Sequence, residues 1–245
     1  LASTPHPEFR LIADLGNRYL KIGIARRSTI LEKRCVDVTA PIEAEGFAAP
    51  ERPAIAVYAS VNPDVDPRFE EWVRTRYGLV AEKLGRDRPI PIHTDCEGVG
   101  ADRLLNALGA IERYPTGAIA VDAGTAVTVD VVAPGPVFLG GAILPGPHLG
   151  AWALAERAAQ LVRVAPRAPD DPIARRTEDA VRSGLHHGTI GAIRELVAVY
   201  RSALDFDPTL VFSGGDVDSY LSAFPGAKHF PSLTLDGILV ALEKG

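Results

Sequence analysis

The sequence predicts an α/β chain built from two related halves. Within each half, short strand-like runs come first and helical runs follow. The segments IADLGNRYLKIGI (residues 12–24) and AVDAGTAVTVDVV (residues 120–132) share one plan: an apolar run, an Asp, a Gly two residues later, Asn or Thr, and a second apolar run. They lie close to half the chain length apart, which is the mark of an internal repeat.

The elements follow in order. FRLIAD (9–14) and YLKIGIA (19–25) read as a hairpin, CVDVTA (35–40) as a third short strand, and AIAVYAS (54–60) as a buried central strand. PDVDPRFEEWVRTRYG (63–78) carries helix signals, with Phe69, Trp72 and Val73 on one face. PIPIHT (89–94) is expected as another strand. GADRLLNALGAIERY (100–114) reads as a helix whose apolar stripe is Leu104, Leu105, Leu108 and Ile111. The second half opens with three strands, in GAIAVDAGTAVTVDVV and, after the turn APGP, VFLGGAILPG. HLGAWALAERAAQLVRV (148–164) is an amphipathic helix and APRAPDDP (165–172) a proline-rich loop. The run from Thr177 to Leu204 is a long helix interrupted by Gly184, Gly188 and Gly191, which cost helix propensity and are expected to form a tight packing seam. TLVFSGGD runs a strand into a glycine turn, and DGILVALEKG closes the chain as a helix. The expected domains are 8–114 and 115–245.

Composition narrows the function classes. The 245 residues, 47% hydrophobic and 23% charged, are those of a water-soluble globular chain with a sizeable core. A net charge of −5 without a basic block argues against nucleic acid as a partner. No run approaches the ~20 apolar residues of a membrane span. The opening LASTPHPEF is short, polar and proline-containing, so no secretory leader is expected there. Cys35 and Cys96 lack metal-ligand spacing and fit a reducing cytoplasm. The histidines, scattered apart from His186 and His187, give no zinc pattern and read as packing or surface residues.

The two repeated turns carry the chemistry. Gly16 and Gly124 permit positive φ and leave room between backbone and ligand, so that successive N–H groups can take phosphate oxygens. Asn17 and Thr125 add side-chain donors. A carboxylate beside a polyphosphate is repelled unless a cation lies between them, so Asp14 and Asp122 imply metal, with Mg²⁺ favoured by the phosphates. Lys21 supplies a fixed positive charge for a terminal phosphate. No GxxxxGK[ST] run is present, which excludes a P-loop of that type. Each turn read alone is equally a surface bend with solvated charges.

With both hairpins, GADR between the halves and SGGD near the end, the chain resembles the type III pantothenate kinases. These belong to the superfamily of acetate and sugar kinases, heat-shock chaperones and actin. The blocks are DLGNRYLK, YASVNP, VGADRLLNALGA, VDAGTAVTVDVV, GGAILPG, TEDAVRSG and FSGGD. The resemblance implies duplicated ribonuclease H-like domains with an interdomain cleft, and ATP-dependent phosphorylation of the terminal hydroxyl of pantothenate, the first step of coenzyme A synthesis. It implies that residues Asp14 to Lys21, including Gly16, Asn17 and Arg18, form the first phosphate hairpin, with Gly124 and Thr125 as further ATP contacts. Gly100, Ala101, Asp102 and Arg103 would line the pantothenate site, with Asp102 as general base. Asp122 matches the ligand of a monovalent cation, K⁺ or NH₄⁺, while Mg²⁺ accompanies ATP. Thr177 matches a substrate contact supplied at a homodimer interface; read from the residues alone it is the N-cap of the long helix.

Physical chemistry agrees with the role of Asp102. A primary alcohol gains from a carboxylate that accepts its proton during attack, and a helix start favours the anionic form of that carboxylate. Arg103 beside it suits the carboxylate or amide oxygens of pantothenate. Two positions depart from the family's usual pattern: Arg18 stands where GNT is usual, and HTDCEGVGADR has no tyrosine before GADR. Two other readings stay open on sequence alone. One is a nucleotide-binding regulatory paralogue of the transcriptional accessory type; the other is a kinase of the same fold acting on a different small alcohol.

Overall fold

The computed structural model describes residues 6–42, 52–171 and 173–245. The opening LASTP and the last proline of the loop 165–172 lie outside the described residues. The chain divides into two units, Leu1–Arg113 with Leu233–Gly245, and Tyr114–Ser232.

Unit 1 is built on β1 (His6–Leu15), β2 (Tyr19–Arg26), β3 (Thr29–Asp37), β4 (Pro53–Ser60) and β5 (Ala81–Lys83), in the order β3-β2-β1-β4-β5. The first three strands are antiparallel, whereas β4 runs parallel to β1 and β5 parallel to β4. Alternation along β1 sends Phe9, Leu11, Ala13 and Leu15 to one core. There they meet Phe69, Trp72 and Val73 of α1 (Asp66–Tyr77), the three residues expected on its buried face. α1 stops at Gly78, whose left-handed φ of 63° lets its N–H cap the Arg74 carbonyl.

α2 (Ala101–Arg113) buries Leu105, Leu108 and Ile111, with Leu104 only half-buried, and packs on α5 (Leu233–Lys244). A Cβ at Gly109 would stand 2.8 Å from the Leu233 carbonyl oxygen, and one at Gly237 would overlap that of Leu105. This is a close helix seam, made by glycines of α2 and α5 and not by the three glycines expected to make one in the long helix. Residues 233–245 are therefore part of unit 1, whereas the sequence expectation placed them with the second half.

Unit 2 repeats the plan with β6 (Ala118–Ala123), β7 (Ala126–Ala133), β8 (Val137–Pro145), β9 (Thr209–Ser213) and β10 (Lys228–His229). Its order β8-β7-β6-β9-β10 mirrors unit 1 strand for strand, antiparallel then parallel. Ile119, Val121 and Ala123 of β6 and Val127, Val129 and Val131 of β7 form a core with Ile190, Ile193 and Val197 of α4 (Thr177–Ala203). α3 (Pro147–Arg157) is the remaining helix.

Four expectations change. Residues 89–94 form no strand, because Pro89 and Pro91 have no N–H to give a ladder; the extra strand is β5 instead. The third strand begins at Thr29 and ends at Asp37, where Thr39 turns the chain through two hydrogen bonds to the Asp37 carboxylate. α3 ends at Arg157 rather than reaching Val164. Gly184, Gly188 and Gly191 are exposed, and among the described residues nothing lies within 4 Å of a Cβ built on any of them. Among the described residues no helix is long and apolar enough to cross a membrane.

Candidate active site

In unit 1 three segments meet at the carboxyl ends of the parallel strands β1 and β4, the edge at which open α/β sheets bind ligands. The first is the β1–β2 hairpin. Its register sets Asp14, a buried residue whose side chain is 11% exposed, opposite Lys21, and the ammonium lies 3.5 Å from the carboxylate. The turn closes through the Gly16 N–H, which donates to the Tyr19 carbonyl at 3.1 Å. The second segment follows β4: the Val61 N–H donates to the Leu15 carbonyl at 3.2 Å. The third is GADR, because the Val61 side chain lies 3.5 Å from a Cβ built at Gly100.

Asp102 sits in the first turn of α2 and its Oδ1 accepts the Arg103 N–H at 2.9 Å. A Cβ at Gly100 would come within 2.5 Å of that Oδ1, so glycine there leaves the carboxylate room. Asp14, Gly16, Lys21, Gly100, Asp102 and Arg103 thus belong to one end of unit 1. Asn17 and Arg18 are exposed in the turn, with the Arg18 guanidinium 5.0 Å from the Tyr19 ring.

Unit 2 gathers a second cluster at the carboxyl ends of β6 and β9. The Gly124 N–H donates to the Ala126 carbonyl at 2.9 Å, and the Thr125 carbonyl accepts the Gly146 N–H at 3.0 Å. That contact docks the hairpin on the start of α3, and a Cβ at Gly146 would overlap the carbonyls of Gly124 and Thr125. The SGGD turn closes the other side. Its Asp216 N–H donates to the Ala123 carbonyl at 3.0 Å. Gly214 has φ +102°, and a Cβ there would stand 2.5 Å from Asp122 Oδ1. Neither Gly16 nor Gly124 takes a positive φ, contrary to the expectation; the left-handed glycine of this cluster is Gly214. Gly16 and Gly124 act by leaving space.

Three residues of unit 2 escaped the sequence reading. Thr128 is the register partner of Asp122 and is 9% exposed, and its Oγ1 is buried without a hydrogen-bond partner among the described residues. The polar residues at alternating positions in TAVTVDVV are the signal that could have found it. His148, expected to be a packing or surface residue, lies with Nε2 3.8 Å from Asp216 Oδ1. Gly146 was visible only as part of GGAILPG. Thr177 is exposed at the first position of α4, and the N-cap is Arg176, without a side-chain cap bond. Thr177 is therefore not the cap that its residue type suggested.

A family model described as type III pantothenate kinase matches residues 10–199. The chain belongs to that family. A type III pantothenate kinase of Thermomicrobium roseum is 32% identical to it, covering 96% of each chain. Another, of Akkermansia muciniphila, is 31% identical over 94% of this chain and 97% of that one. Among solved structures, a putative Baf family transcriptional activator from Campylobacter jejuni superposes with a TM-score of 0.64 at 20% identity, covering 96% of this chain and 98% of that one. Component A of the (R)-2-hydroxyglutaryl-CoA dehydratase of Acidaminococcus fermentans gives 0.53 at 15% identity, over 95% of each. Those two likenesses establish the fold: duplicated ribonuclease H-like units of the acetate and sugar kinase and actin type. The family match, residues 10–199, takes in both hairpins and the GADR segment and ends before the SGGD turn.

Proposed function

We propose that the protein transfers the terminal phosphoryl group of ATP to the terminal hydroxyl of pantothenate, giving 4′-phosphopantothenate at the start of coenzyme A synthesis. The observation that carries this reading is the placement of Asp102. A carboxylate in the first turn of a helix, beside glycine and next to a phosphate hairpin in the same unit, suits a general base for an alcohol. In this reading Asp102 takes the hydroxyl proton as the oxygen attacks phosphorus, and the bond from phosphorus to the leaving oxygen of ADP breaks. Gly100, Ala101 and Arg103 hold the acceptor, with Arg103 pairing to its carboxylate. Lys21 neutralises charge on the transferred group, and Asn17, Arg18, Gly16, Gly124 and Thr125 hold the phosphate chain.

The residues fit the cations this chemistry needs. Among the described residues no group of three or more His, Cys, Asp or Glu could cage a metal. Mg²⁺ needs no such cage, since one carboxylate such as Asp14, waters and the phosphates complete its shell. Asp122 with the buried Thr128 oxygen opposite it suits a monovalent cation, K⁺ or NH₄⁺. When bound, these ions offset phosphate charge. We assign Thr177, exposed at the start of α4, to substrate contact from the partner in a homodimer, and place the enzyme in the cytoplasm.

Asp102→Asn is the test. Turnover, followed as ADP release with pantothenate, should fall by about 10²–10⁴-fold while ATP affinity stays within twofold. Activity surviving within a few-fold would remove Asp102 as the base. Turnover of other small alcohols in preference to pantothenate would redirect the substrate assignment.

A further inference from the structure

Unit 2 holds a cavity of ≈ 30 Å³ beside the hairpin cluster, between the first turn of α3, the loop at Pro166–Arg167, α4 and the turn after β9. Its polar lining includes His148, Arg167, Arg182, His186, Asp216 and Ser219, with Tyr220 beside them.

The Arg182 guanidinium is the central group. Its side chain is 17% exposed; Nη1 donates to Asp179 at 2.7 Å, and Nη2 lies 3.8 Å from Glu178. Nε is buried and has no hydrogen-bond acceptor among the described residues. A buried donor left so bears the full cost of its lost hydration, so an acceptor from outside the chain is favoured there. Arg167 brings a second guanidinium, with its two terminal nitrogens at 2.8 Å on Asp170. Both guanidinium groups are ion-paired to carboxylates outside the cavity lining, so what the wall offers an incoming anion is the unsatisfied Nε of Arg182, against the single lining carboxylate of Asp216. His148 stands 3.8 Å from that carboxylate and offsets it when protonated. His186 stacks on the buried Tyr220 at 5.8 Å, and burial lowers its pKa, leaving a neutral aromatic wall.

We propose that this cavity binds a tetrahedral oxyanion of the phosphate type, either free or as the phosphoryl group of a nucleotide or phosphorylated product. Its volume is about twice what a single water requires, which admits a compact ion and excludes a nucleobase. Guanidinium donors are the groups best suited to such an ion.

The experiment titrates inorganic phosphate into the intact protein, with binding read by ³¹P line broadening and calorimetry at constant ionic strength. Wild type should bind saturably. Arg182→Met should weaken binding tenfold or more, and Arg167→Gln, on a loop where folding is not at stake, threefold or more. Arg74→Gln, at an exposed position on α1, should leave it within twofold. Absence of saturable binding, binding retained by both cavity variants, or binding lost as well in Arg74→Gln would overturn the proposal. Adenosine monophosphate then separates the sources: competition with phosphate assigns the site to a nucleotide phosphoryl group, and lack of competition assigns it to the free ion.

Discussion

The two hairpins are copies of one design with opposite electrostatic solutions. In unit 1 the Asp14 carboxylate has Lys21 as its register partner, and the two form an ion pair at 3.5 Å. In unit 2 the corresponding Asp122 has Thr128 as its register partner, a hydroxyl in place of an ammonium. The first hairpin carries its cation in the chain; the second has oxygen alone. The turns differ too. Four residues (16–19) separate the Leu15–Leu20 pair, but three (124–126) separate Ala123 from Val127. One hairpin has a built-in charge and a longer turn, and the other is braced by Gly146 and Gly214 packed against it.

The sharpest test exchanges the two solutions. Lys21→Met should lower kcat/KM by about 10²–10³-fold, the usual cost of removing one preorganised group at a developing charge. Potassium should not restore it. Asp122→Asn should instead abolish the response of turnover to K⁺ or NH₄⁺, with Asp14→Asn retaining that response. Should Asp14→Asn be the variant that loses its monovalent-cation dependence, the comparison would be reversed.

A smaller effect separates the ways in which the turns are braced. Gly214 combines a φ of +102° with a Cβ position blocked by Ala123 and Asp122, whereas a Cβ at Gly16 meets only the Tyr19 carbonyl oxygen at 3.1 Å. Gly214→Ala should therefore cost about 1–3 kcal/mol of stability, and Gly16→Ala no more than about 1 kcal/mol. Urea denaturation followed by circular dichroism measures both. Equal losses would mean that the two turns are braced alike.

Most of this arrangement was legible in the residues, for identifiable reasons. Among the described residues, alternation and apolar stripes located eight of the ten strands and all five α-helices well enough to reveal the repeat, and the two Asp-x-Gly turns marked both hairpins. What stayed hidden depends on contacts between distant segments. The seam at Gly109 and Gly237 needs α2 and α5 side by side, across more than a hundred residues of chain. The α4 glycines suggested such a seam because spacing alone cannot say which helix face has a neighbour. His148 gains a site context only when β9 returns beside β6 and brings Asp216 with it. Pro89 and Pro91 show the converse: an apolar, β-branched pattern predicts a strand that missing N–H donors prevent.

The smallest expected effect lies in one exposed residue of the longer first turn. Arg18 is exposed, and its guanidinium rests 5.0 Å from the Tyr19 ring, while its backbone carbonyl accepts the Val38 N–H at 2.9 Å. The backbone role survives any side chain, so substitution here isolates the guanidinium. An exposed cation over an aromatic ring is worth about 0.5–1 kcal/mol, which is also the scale of what Arg18 must give up to reach a phosphate. Arg18→Thr should therefore raise the KM for ATP two- to fivefold, leave kcat and the KM for pantothenate unchanged, and steepen the dependence on Mg²⁺ as one fixed charge is lost. An unchanged KM for ATP would mean that Arg18 stays on Tyr19 throughout turnover. The first hairpin would then owe its charge to Lys21 alone, and the contrast with the second would reduce to a single residue.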